Sequence, residues 1–448
     1  MEIHSGHDTI LPTSAEDRNL GLLGTIFLWT AATLVTPTIM TGQMFIPDVT
    51  PYSAFMTVLI GSILGCIALA SVAIIGTKTG LPTFVIARST YGYHGSKIFA
   101  ALNVVILAGW SLIQGYLGAM ALNKVTSLVF GLDNIVLCIF ITQGLVMVIT
   151  ILGHSGIQKI EGVASSLMLI MALSVTYKLL SEHGLTEVKN LPLSDTPSLT
   201  LAIVFDIVLA TAFSWITLPC DYNRYCKSKK VSGIGIVSGY MLGTIIAMGL
   251  GILVGAFSII GGHTPTYDPA DIMQGKYVAL GSLVMFLSVV TTNIMSLYSV
   301  SMSSMSVLPK LRFPVAVLFW GILIILGTLL QEMLLASFFD WVLLVGALMI
   351  PVFAIIITDY YLINNRTLND SSVNYTSVNN KAGQGLDFNI IALITYVLSA
   401  VFAIYFTYSA PLEIGSTALT FVFAATVYFV LTKLFGARNS QNLSTAQL

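Results

Sequence analysis

Residues 20–47 read Leu20-Gly-Leu-Leu-Gly-Thr-Ile-Phe-Leu-Trp-Thr-Ala-Ala-Thr-Leu-Val-Thr-Pro37-Thr-Ile-Met-Thr-Gly-Gln-Met-Phe-Ile-Pro47, without one charged side chain. A helix needs about 20 apolar residues, at about 1.5 Å each, to cross the hydrocarbon layer of a bilayer. This stretch is long enough, and Thr36-Pro37-Thr38 lies near its middle. Proline removes an amide donor and clashes with the preceding turn, freeing carbonyls. One expectation is therefore a broken membrane helix of the kind that builds binding sites in transporters. The other is an ordinary spanning helix with a kink that its neighbours tolerate.

The same pattern continues outward. Between Asn19 and Thr77 the only charge is Asp48, and residues 98–123, 134–158, 162–177, 231–262, 277–309, 313–331, 341–358, 388–412 and 414–432 carry no Asp, Glu, Lys or Arg. Splitting 19–77 at Asp48 and adding 199–220 gives twelve spans, of which 162–177 and 341–358 are short. Charged residues are 9% of the chain, against roughly 25% in a soluble domain, too few to cover a soluble surface of this length. A net charge of −1 argues against a nucleic-acid partner. The four cysteines form no zinc-type pair, and no signal peptide is expected.

Fifteen of the 19 Lys and Arg fall in the loops that are cytoplasmic if the N-terminus is, and four (Lys124, Lys178, Lys189, Lys276) fall in the others. The positive-inside rule then places both termini in the cytoplasm, with tails 1–18 and 437–448 flanking one transmembrane body, 19–436. The expectation is a multi-pass protein of the cytoplasmic membrane, and the short tails suggest a bacterial source. The longest connections are 360–387 on the inner side and 179–198 and 263–276 on the outer side.

Several residues could carry the work. Trp110 and Gln114 share one helix face in span 3; an indole stacks on a planar ring and an amide bonds its polar edge. The same pair equally describes a membrane helix whose Trp packs and whose Gln bridges to a neighbour. Ser288, Thr291 and Thr292 share a face of span 8, where hydroxyls could join carbonyls freed in span 1 and hold a sodium ion. They could also bond back to their own helix. Asn293 points off that face, toward a substrate or another helix. Span 6 carries Phe213-Ser214-Trp215 and then Pro219, a second candidate break. Asp206 is the one ionisable group inside an apolar run, a candidate for proton coupling or gating. The cluster Asp221, Arg224, Lys227, Lys229, Lys230 reads as a solvated inner helix end.

Three segments carry a resemblance: Gly76 through Arg88 to Ser96; Asp221-Tyr-Asn-Arg224-Tyr225; and Phe339-Asp-Trp341 through Ile350-Pro351 to Asp359-Tyr360. With Gly109-Trp110 and Thr291-Thr292-Asn293 they resemble, in order and spacing, the nucleobase–cation symporter family of cytosine, purine, hydantoin, allantoin and uracil permeases. The resemblance implies an all-α membrane protein with a LeuT-like fold. It would contain two inverted five-helix repeats (about 19–180 and 199–360) and two extra helices (about 388–436). It implies alternating access around a midplane site, and a heterocycle sandwiched between Trp110 and Trp215, with Gln114, Ser214 and Asn293 on its polar edges. Sodium would sit between span 1 backbone near Ala32 and Val35 and the hydroxyls of Ser288, Thr291 and Thr292.

The chain departs from the cytosine-permease pattern at Leu107, where a Gln is usual, and from the hydantoin pattern near Ser296, Leu297 and Tyr298. The expected function is secondary active transport of a nucleobase or related planar ring with sodium. The rival is proton-coupled carriage of hydantoin, allantoin or hydroxymethylpyrimidine, titrating on Asp206. No cofactor and no obligatory protein partner are expected. An amino-acid carrier is disfavoured because span 1 lacks a glycine pair at its break. A membrane enzyme is disfavoured because no span holds a catalytic cluster, and a channel because no filter-like loop is visible.

Overall fold

Pro37 decides the shape of the first span. The computed structural model describes residues 9–260, 276–330, 338–368, 373 and 387–436. Within it α1 (Leu22–Thr33) and α2 (Thr36–Gln43) are bent by 57° from one another. The break falls at Leu34 and Val35, and Pro37 opens the second half, where a missing amide costs nothing. The break thus lies just before the Thr36-Pro37-Thr38 triplet that signals it.

Thirteen further spans and connecting helices follow in order. They are α3 (Pro51–Thr79), α4 (Thr83–Tyr91), α5 (Tyr93–Phe130), α6 (Ile135–Ile151), α7 (His154–Lys189), α8 (Leu201–Ser214), α9 (Pro219–Asn223), α10 (Lys229–Ile260), α11 (Lys276–Val307), α12 (Phe313–Thr328) and α13 (Phe338–Thr358), and then α14 (Ile390–Ile404) and α15 (Thr417–Leu431) complete the bundle. Among the described residues eight helices are long and apolar enough to span, nine with the bent α1–α2 pair. The expected count of twelve requires the shorter apolar helices α6, α8 and α12 as spans too. Large apolar side chains such as Ile67, Ile170 and Val401 stay exposed along these helices, the outward face of a protein dissolved in lipid.

The second half of the chain repeats the device. α8 ends at Ser214, residues 215–218 form a turn, and Pro219 opens α9. Both breaks are packed by close approach. α10 presents Gly239, Gly243 and Gly251 to α1 and α2; a Cβ on Gly243 would lie 2.1 Å from the Thr33 hydroxyl, and one on Gly251 2.0 Å from the Ile39 carbonyl. Small residues at such positions let backbones meet in membranes.

Two expectations need correction. Residues 179–198 are not all loop: α7 continues to Lys189, turning at Gly184, whose φ of 66° suits glycine. The inner segment between spans 2 and 3 contains α4, buried along its whole length. The outer stretch 263–275, most of the inner connection 360–387, and the chain before 9 and after 436 lie outside the described residues.

Candidate functional site

A cavity of about 580 Å³, including its open part, lies where the two breaks face α5. Three groups of residues line it. Val35, Pro37, Thr38 and Thr41 come from the first break and α2; Leu107, Trp110 and Gln114 from α5; Thr211, Ser214, Trp215 and Leu218 from α8 and the second break. Ser296 of α11 and Val342 of α13 complete the wall. The two indoles thus arrive on different elements, one on a continuous helix and one at a break, and each stays partly exposed. Among the described residues no lining residue is charged.

The polar atoms divide by what they already hold. Thr41, Thr211 and Ser214 bond back to carbonyls of their own helix turns at 2.9, 2.8 and 2.7 Å. Gln114 accepts from Ser296 at 3.4 Å, and no partner for its amide nitrogen is found among the described residues. Thr38 likewise has no side-chain partner among them, and it stands out as a lining residue that sequence reasoning passed over as part of the break motif.

Asn293 is placed elsewhere. It is fully buried, accepts from the Ser111 hydroxyl and donates to Gln143 at 3.0 Å. Gln143 in turn donates to the Ser111 carbonyl at 3.0 Å and to Thr328 at 2.9 Å. This chain of bonds ties α5, α11, α6 and α12 together directly behind Trp110. Asn293 does not line the cavity; it holds the helix that does. Gln143 has no sequence pattern of its own and was not foreseen.

The span 1 and span 8 elements do meet. Ser288 donates to the Leu34 carbonyl at 2.8 Å, and the Thr292 hydroxyl, 3.1 Å from the Ser288 carbonyl of its own helix, lies 3.4 Å from the carbonyls of both Ala31 and Ala32. These carbonyls lie at the end of α1, where the break removes the amides they would otherwise bind. Thr291 bonds back to the Ser288 carbonyl at 2.8 Å, and the Val35 carbonyl accepts from the amides of Thr38 and Ile39 at 3.0 and 3.2 Å. The oxygens brought together are therefore Ala31, Ala32, Leu34, Ser288 and Thr292. All are neutral and buried, a hard-oxygen set suited to a hard cation.

Asp206 is not at the cavity. Its two carboxylate oxygens accept the amides of Ser416 and Thr417, at 3.1 and 2.9 Å, where α15 begins. A carboxylate at a helix N-terminus meets unsatisfied amides and the positive end of the helix dipole. The Asp221–Lys230 cluster corrects the sequence reading in part. Asp221 and Arg224 are buried, not solvated: Asp221 accepts from the Thr83 amide at 2.8 Å and from the Ser299 hydroxyl. Arg224 donates to the Thr9 carbonyl at 2.8 Å and to the Tyr225 and Tyr298 hydroxyls at 2.7 and 3.2 Å. Lys227, Lys229 and Lys230 are exposed as expected.

The comparisons now bear on this arrangement. A family model described as permease for cytosine/purines, uracil, thiamine and allantoin matches residues 12–436. The chain belongs to that family. This permease is 24% identical over 363 residues to the cytosine permease of Escherichia coli (strain K12), covering 80% of the chain and 82% of the relative. It is 24% identical over 487 residues to the purine-uracil permease of Arabidopsis thaliana, covering 98% and 80%. Its fold matches the solved structure of Mhp1, a nucleobase-cation-symport-1 family transporter in a closed conformation with bromovinylhydantoin bound. That match has a TM-score of 0.79 at 20% identity, over 95% of this chain and 94% of that one. The all-α, LeuT-like fold and the assignment as a membrane transporter, not an enzyme, follow from these matches.

Proposed function

We propose that this permease moves a neutral, planar nitrogenous ring, a nucleobase such as cytosine or a purine, by symport with sodium and alternating access. The observation that carries the reading is the composition of the cavity wall. Two indoles from different elements, an amide and several hydroxyls surround a space with no charged group. A charged solute would lose its hydration there without compensation. A flat heterocycle gains stacking of about 1–3 kcal/mol per aromatic, by analogy with base–aromatic stacking, and edge bonds from Gln114 and Thr38.

Sodium is supported by the donor set at the end of α1, neutral oxygens contributed by two elements. The titrating role weighed for Asp206 is disfavoured, because both oxygens are taken by backbone amides away from the cavity. A second reading of the substrate rests on one observation. Leu107 contributes no polar group to the wall, while Gln114 does, as in the hydantoin-type pattern; a hydantoin or allantoin ring then replaces the nucleobase. We place both termini in the cytoplasm from the basic-residue bias.

The test is uptake into proteoliposomes of labelled cytosine under a sodium gradient, a proton gradient, or neither, with purines, pyrimidines, hydantoins and allantoin as competitors. Sodium-stimulated uptake with competition from one ring class supports the reading and identifies the ring. Uptake driven by protons alone removes the sodium assignment. If no ring competes or moves, the substrate class is wrong.

A further inference from the structure

A second cavity opens on the face that carries residues 9–20, between the ends of α3 and α10. Five cationic side chains line it, Arg18, Lys78, Lys227, Lys229 and Lys230, and among the described residues no acidic one. Among the described residues none of the five meets a carboxylate. Arg18 donates only to the carbonyls of Thr13 and Thr77, and Lys78 to the carbonyl of Arg366. Glu16 and Asp17 flank Arg18 in sequence but do not line the cavity, and Asp17 is engaged by the Ser14 hydroxyl at 2.7 Å. The three lysines of residues 227–230 are exposed. Five like charges held around one opening repel each other, so an anion bound among them is stabilised by all of them at once.

What lies beside the opening identifies the anion. Leu22 and Leu23 at the start of α1, and Ile234 one turn into α10, are exposed apolar residues, Leu23 at 68% and Ile234 at 56%. α10, and α1 together with α2, are long and apolar enough to cross the hydrocarbon layer. An anion here therefore has its charge at the cations and room for an acyl chain along the adjoining apolar surface. We infer that this cavity is a binding site for the phosphate headgroup of an anionic phospholipid. Its two walls are joined by backbone: the Leu20 amide donates to Tyr225 and the Lys227 amide to Leu20, at 2.9 and 3.0 Å. A lipid held by Arg18 and the three lysines clamps residues 18–20 to the start of α10.

The experiment uses the full chain in nanodiscs of phosphatidylcholine, with and without added phosphatidylglycerol, and reads the thermal midpoint and the lipid retained on extraction into neutral detergent. The variants are Lys227→Gln/Lys229→Gln/Lys230→Gln, and Lys310→Gln as an exposed cation outside the cavity. Anionic lipid is expected to raise the midpoint of the parent and of Lys310→Gln, but not of the triple variant. Retention should weaken roughly fivefold per lysine removed, the effect of about one charge near an anionic surface. Equal midpoints of parent and triple variant in phosphatidylcholine show that folding is intact; if the triple variant does not fold, Lys229→Gln alone is read for its single-charge loss. The inference is overturned if the parent shows no shift, if Lys310→Gln loses as much as the triple variant, or if inorganic phosphate in phosphatidylcholine discs reproduces the shift. None of these readouts involves solute uptake, so the result is independent of the substrate proposed above.

Discussion

Thr291 and Thr292 are neighbours in sequence, yet the structure separates their roles, and replacing each by valine tests the sodium assignment. Valine keeps the volume and the branched Cβ of threonine and removes only the hydroxyl. Both hydroxyls bond back to the Ser288 carbonyl, that of Thr292 at 3.1 Å, but only the Thr292 oxygen also lies 3.4 Å from the carbonyls of Ala31 and Ala32, inside the proposed oxygen set. The Thr291 oxygen is used by the Ser288 carbonyl of its own helix at 2.8 Å. Losing one interaction of this kind costs about 1 kcal/mol, within about 0.5 either way. That corresponds to roughly a two- to twelvefold higher sodium concentration for half-maximal uptake in Thr292→Val. Thr291→Val should stay within about twofold of the parent, since removing a back-bonding hydroxyl leaves the helix intact. The assay is uptake against sodium concentration in proteoliposomes, paired with the sodium-dependent shift of the thermal midpoint, which needs no transport. Equal shifts in the two variants, or none in Thr292→Val, would refute the placement of the cation at this junction.

Four further outcomes follow from single sites. Trp110→Ala should abolish uptake while the protein remains in the membrane, and Trp110→Phe should keep part of it, because a ring still stacks; radiolabelled uptake with membrane quantification decides. Gly109→Ala places a Cβ 2.2 Å from the Trp341 indole, so overpacking of about 1–3 kcal/mol should lower the thermal midpoint and weaken substrate binding. Asp206→Asn should leave the pH profile of uptake unchanged but cost about 1 kcal/mol of stability as the α15 cap weakens; a lost proton response instead would restore Asp206 as a coupling group. Desolvation raises the Asp48 carboxyl, but hydrogen bonds from the Ser198 hydroxyl and the Leu199 and Ser198 amides outweigh it and hold its pKa below the ordinary value. Its stabilising contribution is therefore present above the usual carboxylate range and lost as pH falls through the lowered folded value. Asp48→Asn should remove that acid-side loss, read as midpoint against pH.

Much of this was legible in the sequence because lipid is an undemanding solvent to read. Runs without charge mark spans, and proline marks breaks, since an amide cannot be lost inside a helix without consequence. Trp110 and Gln114 stood out because an indole and an amide on one helix face are a local pattern, whereas Ser214 and Trp215 were paired with them through the family resemblance; all four line the cavity. What stayed hidden is what only the third dimension supplies. Asn293 looked like a ligand because its type is right, but its amide is satisfied by Ser111 and Gln143, residues distant in sequence. Asp206 looked functional because a membrane carboxylate is costly, and the two amides that offset the cost lie 210 and 211 positions away. Asp221 and Arg224 looked solvated because charge usually is; their partners on α4, α11 and residue 9 are invisible to a local reading.

If the proposed sodium and ring sites are both occupied, the arrangement gives them a way to drive one another without touching. α5, α11, α6 and α12 are held as one group by the Ser111–Asn293–Gln143–Thr328 bonds. α1 and α2 are seated on the glycines of α10, and α3 packs on α8 and α10, making a second group that contains both breaks. The cavity takes Trp110, Gln114 and Ser296 from the first group and Thr38, Ser214 and Trp215 from the second. The oxygen cluster does the same, with Ser288 and Thr292 from the first and the α1 carbonyls from the second. Each ligand therefore favours the relative placement of the groups in which its own half-sites meet, and the same placement serves the other. Coupling by linkage then needs no contact between ring and ion. It requires that loosening the first group weaken both at once: a variant that breaks the Gln143 bonds, Gln143→Leu, should reduce sodium and substrate affinity together while leaving every proposed ligand atom in place. A Gln143→Leu protein that lost affinity for only one of the two would show that the sites are not joined through this group.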